Sequence, residues 1–303
     1  MRKLSLKDLS PVDVLLFSPE KNSFISQAIT FLTNANVSHA ALYFHSVPST
    51  IIEETPPQIS ESLAEKRFRE RTIYVYRHIS APFLDPVITA AGQHLNNQEP
   101  YDNSGLYMVG LLLMYKKFSM TSKKQRAIIR ILKKLTITLT RYIQKRQTPD
   151  KHPMTCSQFV AQCFDDAGAT FRLQFSSLPL NDSAPDETLL DRVTNWMVQN
   201  PVFKREYSMV NITESDISSD EDLCEELCNA LNDNPPQSNV SITRELAEAV
   251  YLFAEVHAAL INLDTEAKND NPLVVLRSNN NMFVSPGDLK SCSNLTCIGS
   301  IQS

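Results

Sequence analysis

The chain has 303 residues, an ordinary hydrophobic share of 42% and a net charge of −5, enough for one generous catalytic domain with a smaller appendage. Six glycines against 17 prolines leave no P-loop and no dinucleotide fingerprint, which excludes the common phosphate-cradling folds. The six cysteines, at 156, 163, 224, 228, 292 and 297, are not spaced as a disulfide framework and have no matching histidine cluster, so neither zinc nor any other cofactor is expected.

In chain order, Val12-Asp13-Val14-Leu15-Leu16-Phe17 reads as a strand and Ser23 to Leu32 as an amphipathic helix. Val37 to Phe44 is a second strand carrying His39 near its start. A turn at Val47-Pro48-Ser49 leads into a third, Thr50 to Thr55, which carries Glu53 and Glu54. Leu106 to Lys151 holds twelve lysines and arginines against Asp150 alone, a net +11, so the remainder carries −16. Ile128, Ile131, Leu132, Leu135 and Leu139 recur there at helical spacing, predicting two inserted helices with one apolar and one basic face. Thr155 followed by Gln158 is a capping box that starts a helix at Cys156, and Phe159, Val160, Cys163, Phe164 and Ala167 form its apolar stripe. Asn211 to Gln237 reads as an acidic linker with a short helix around Leu223 to Leu231. Ser241 to Leu263 reads as a helix and Leu273 to Leu276 as a short strand. From Ser278 onward no periodicity is visible and a mobile tail is expected.

Chemistry points to Cys156. The first residue of a helix lies among free backbone N–H groups at the positive end of the dipole, and both favour thiolate over thiol. A hairpin of the second and third strands would bring a carboxylate from Glu53 or Glu54 to the His39 imidazole. Nucleophile, base and orienting acceptor are then all present. The same residues also fit a buried helix that begins with cysteine and an ordinary half-buried strand histidine. His152, four residues before Cys156 with Pro153 stiffening the link, would have to fold its ring back to serve as base and reads instead as a loop or substrate-side residue, and Cys163 fits packed core. His45, His78, His94 and His257 show no partner pattern.

These segments, in this order, with Pro100-Tyr101-Asp102 between them, resemble the permuted branch of the NlpC-type papain-like cysteine peptidases, the YiiX/YaeF-like proteins. The resemblance spans Pro11 to Tyr207. It implies an α+β, circularly permuted papain-like fold, with a mostly antiparallel sheet packed on the cysteine helix, a helical insertion and a helical C-terminal extension. By position it implies Cys156 as nucleophile, His39 as base, Glu53 (Glu54 as the alternative) as orienting residue, and Tyr101 lining the site and donating to the oxyanion. Gln98 stands where the family usually has glycine, a departure in the loop that carries Tyr101.

The expected division is a catalytic domain over 1–207 with the basic insertion at 106–151, an acidic linker or flap at 208–240, and a helical extension with tail at 241–303. The leading expectation is amide hydrolysis of a peptide or cell-wall-type peptide through an acyl-enzyme. A lipid-directed thiol acyl hydrolase or acyltransferase is the enzyme alternative, in line with the related lecithin-retinol acyltransferase-like group. A catalytically silent binding module is the other. The basic insertion suggests anionic lipid as a partner, and the absence of interleaved aromatics argues against nucleic acid. Leu4-Ser5-Leu6-Lys7-Asp8 breaks any signal-peptide core and no stretch is long enough to span a bilayer. The expectation is therefore synthesis in the cytoplasm, with export as an effector by a signal-independent route as the way to an outside substrate.

Overall fold

The apolar, β-branched and aromatic runs of the first eighty residues form strands, and the last strand of their sheet comes from the far end of the chain. The computed structural model describes residues 1–55, 58–79, 83–97, 105–145, 154–175, 187–200, 218–233, 240–261, 271–278 and 283–302. Among these, a 3-10 turn at Leu6–Asp8 precedes β1 (Val14–Phe17), α1 (Phe24–Thr33), β2 (His39–Ser46), β3 (Ser49–Thr55), β4 (Gln58–Leu63), α2 (Ala64–Arg67) and β5 (Thr72–His78). Then come α3 (Asp85–Asn97), α4 (Leu106–Tyr115), α5 (Ser122–Lys145), α6 (Cys156–Asp166) and α7 (Leu189–Gln199). The chain continues with α8 (Asp220–Asn232), α9 (Arg244–Ile261), α10 (Pro272–Ser278), α11 (Pro286–Lys290) and β6 (Leu295–Gln302). The class is α+β, and the chain divides into two units.

The first unit comprises Met1–Met108, Lys151–Pro179 and Met282–Ser303. Its sheet is antiparallel throughout, in the order β4-β3-β2-β1-β5-β6. β1 lies inside it with all four residues buried, which is why it reads as an unbroken apolar run. On one face Leu16, Ala40, Leu42 and Ile52 pack with Phe159, Val160, Cys163 and Phe164 of α6 and with Val87 and Ala91 of α3. On the other, Leu15, Phe17, Ala41, Tyr43 and Ile51 pack with Ala64 and Phe68.

The stretch from Ser278 onward, expected as a mobile tail, contains α11 and β6. Residues 295–302 form β6, paired with β5 from Thr72↔Gln302 to His78↔Leu295. Its outer side is held by the N-terminus, where Leu4 N–H donates to Ser300 O at 2.8 Å and Ser300 N–H to Arg2 O at 2.9 Å. The strand was illegible because Gly299 and a register shift at Val75/Tyr76 break its alternation.

The second unit comprises Val109–Asp150 and Leu180–Asn281. The basic insertion therefore groups with the later helices, a different partition from the expected catalytic domain with inserted hairpin. Within it Ile128, Ile131, Leu132, Leu135 and Leu139 of α5 are buried, and α5 packs on α8 and α9. The segment expected as an acidic linker with a short helix around Leu223 to Leu231 contains α8, started by a Ser219/Asp222 capping box with Asp220, Glu221 and Asp222 in its first turn. Residues 273–276, expected as a strand, lie within α10, since a four-residue apolar run does not by itself distinguish strand from helix.

Candidate active site

Thr155 stays extended and its Oγ1 accepts from Gln158 N–H at 3.3 Å, so α6 starts with Cys156 as its first residue. The next residue anchors that helix start, with Ser157 Oγ donating to Val284 O at 2.6 Å. Phe159, Val160, Cys163 and Phe164 are fully buried along the same helix and hold it against the sheet. Cys163 is part of that core.

His39 is the first residue of β2, so its ring sits at an end of the sheet. The register pairs Ala41 with Glu53. Alternation places His39 and Ala41 on one face, which makes Glu53 the diagonal neighbour of His39 across the strand pair. His39 Nε2–H donates to Glu53 Oε2 at 2.8 Å. Glu54, one residue on, is turned to the opposite face and is wholly buried there. Register thus chooses between the two glutamates that the sequence left open.

Nε2 is taken by Glu53, which leaves Nδ1 of His39 for the hydrogen bond it makes with Cys156. The sulfur also accepts from the backbone N–H groups of Ala40 and Ser157. It is only 2% exposed, and the His39 side chain only 12%. Burial opposes ionisation of Cys156. The charge and hydrogen bond of His39, with the two N–H groups, outweigh it and hold the thiol below its ordinary value. For His39, burial disfavours the imidazolium, but the Cys156 thiolate and the Glu53 carboxylate together raise it to about 9. Burial likewise disfavours the Glu53 carboxylate, yet His39 and Arg67 hold it down at about 2. The favoured state is a thiolate–imidazolium pair backed by an ionised carboxylate.

Arg67, at the end of α2, is a site residue that the sequence reading missed. Its Nε–H donates to Glu53 Oε1 and its Nη2–H to Oε2 at 2.9 Å, a two-point grip on the same carboxylate that holds His39. The fourteen-residue separation from Glu53 follows no local motif. Only the β3–β4 hairpin, with α2 packed back on both strands, brings the two together. Arg71, from the same stretch, donates through Nε to Ser18 O at 2.7 Å and through Nη2 to Ser38 Oγ at 3.2 Å, and its guanidinium lies 5.1 Å from the centre of the Phe17 ring. Phe17 in turn meets the His39 ring edge-on at 5.2 Å.

Tyr101, with Pro100 and Asp102, lies outside the described residues, as does His152. The other histidines have different neighbours. His78 meets Asn294 at 3.0 Å, His94 Nε2 meets Asp166 Oδ2 at 2.8 Å, and His257 stacks on Phe253, with burial pushing it down to about 4. Asp13, from the Val-Asp-Val opening, forms a two-point pair with Arg77 at 2.7 Å for both bonds. Among the described residues no group of three His, Cys, Asp or Glu could hold a metal ion, and no helix is long and apolar enough to cross a membrane. No protein-family model and no curated protein sequence matches the chain.

Proposed function

We propose that the chain is a cysteine hydrolase of permuted papain-like fold that cleaves an amide through an acyl-enzyme. The observation that carries this reading is the unbroken chain Cys156–His39–Glu53, assembled from α6, β2 and β3. The histidine strand precedes the cysteine helix in sequence, as the permuted order requires.

In the forward step the Cys156 thiolate adds to the substrate carbonyl carbon and the carbonyl electron pair moves to oxygen. Collapse of that intermediate expels the amine, which takes the Nδ1 proton of His39, and leaves a thioester on Cys156. The thiolate charge that held His39 protonated is then gone, so the ring stays neutral and acts as a base. It removes a proton from water as the oxygen attacks the thioester, and the thiolate leaves to reform the pair. Glu53 stays ionised throughout, holding one tautomer and one ring orientation. Tyr101 is the proposed oxyanion donor by resemblance alone.

The lipid-directed alternative draws on the related acyltransferase-like group and on the basic insertion. Four of the twelve cations of that insertion, Lys123, Arg130, Lys133 and Lys134, pair with Asp233, Glu226, Glu245 and Asp220 within the second unit, which leaves less of its charge for an anionic lipid surface. The test is peptide mass spectrometry of Cys156 after exposure to peptide amides, cell-wall-type stem peptides and phospholipids. A thioester on Cys156 from a peptide donor, with release of the amine lost in Cys156→Ala, is expected. Acylation from phospholipid alone would replace amide with lipid ester as substrate. No adduct from any donor, with hydrolysis surviving Cys156→Ala, would overturn the assignment.

A further inference from the structure

The backbone register fixes where Glu53 leaves its strand, but three side-chain torsions separate that point from the carboxylate. Something must hold the far end if Oε2 is to stay on His39. The Arg67 fork does so from the other side: Nε on Oε1, Nη2 on Oε2 at 2.9 Å, with Oε2 also accepting from His39 at 2.8 Å. A planar guanidinium bound at both oxygens fixes the plane of the carboxylate as well as its position.

We propose that Arg67 is a positioning residue, which sets the ionisation of the Cys156–His39 pair by gripping Glu53 at both oxygens. The role rests on the cysteine-hydrolase reading of the site.

Two effects of Arg67 oppose each other. It fixes and ionises the acceptor of His39, and its own charge repels the imidazolium across the shared Oε2. Burial decides between them. Glu53 is 1% exposed and Arg67 36%, so without the guanidinium water would enter on the Arg67 side. The carboxylate would turn toward that water, or take up a proton, and either change removes the fixed anion from His39. The imidazolium then loses support and so does the thiolate.

The test is the pH dependence of Cys156 alkylation by iodoacetamide, followed on the Cys156 peptide because none of the six cysteines is in a disulfide. Wild type, Arg67→Gln, Glu53→Gln and the double variant form a cycle. Arg67→Gln should raise the midpoint by about one pH unit, roughly tenfold slower reaction on the acid limb, and should give no upward shift in the Glu53→Gln background, where only its repulsion of the imidazolium is left to lose. With Glu53 in place, no shift or a downward shift would overturn the proposal, and so would the same upward shift in both backgrounds. Should Arg67→Gln fail to fold, Arg67→Lys, which keeps the charge without the planar fork, should give a smaller upward shift, and its absence is equally decisive. A wild-type midpoint at about 8.5, that of an ordinary thiol, would overturn the hydrolase reading itself. A depressed midpoint that ignores Arg67 would overturn only the role given to Arg67.

Discussion

Glu53 and Glu54 are adjacent, chemically identical and both fully buried, yet only one reaches the imidazole. The difference is the two-residue period of the strand, which no property of either side chain reveals. It has a consequence for stability. Glu53 is held at about 2 against 4.5 for the free side chain, so the folded state resists its protonation. A depressed carboxyl contributes stability that is complete above the unfolded value and is lost as pH falls through the folded one. The thermal midpoint of the wild type should therefore fall as pH is lowered from about 4.5 toward 2, and Glu53→Gln should flatten that part of the curve. Circular dichroism melts across this range check it. Equal slopes in the two proteins would show that Glu53 is not held ionised by the fold.

At the level of elements, legibility followed periodicity. The α6 start could be read because a capping threonine, an apolar stripe and a cysteine at the first position all lie within ten residues. Strands β2 and β3 could be read because each is a continuous run flanked by turn residues. Arg67 could not, since its link to Glu53 exists only after β3 and β4 pair and α2 folds back on them. β6 escaped for a different reason, a backbone irregularity at Gly299. A Cβ there would lie 2.5 Å from Arg2 O and 2.7 Å from Leu4 Cγ, against the N-terminal segment that covers the strand edge. Gly299→Ala should therefore displace that segment and cost about 1–3 kcal/mol, measured by urea denaturation of the full chain. A cost near zero would mean that the N-terminal segment is free to move aside.

Across the whole molecule, part of the charge asymmetry that stands out in the sequence is met inside the second unit, where Arg130, Lys133 and Lys134 of α5 pair with acids of α8 and the start of α9. Exposed pairs of this kind contribute little each, so the buried apolar stripe of α5 is what holds the unit together. The proposed chemistry belongs to the first unit, where residues 39, 53 and 156 converge on one end of the sheet and the C-terminal segment anchors α6 through Val284. The measurement closest to the centre of this account is the alkylation rate of Cys156 as a function of pH in wild type and His39→Ala, each normalised to its own plateau. The wild type should keep most of its plateau rate at about pH 6 despite the burial of the sulfur, and His39→Ala should lose at least tenfold there. If Cys156 fades on the acid side like an ordinary thiol, or His39→Ala leaves its profile unchanged, the thiolate–imidazolium pair does not exist and the proposed catalysis goes with it.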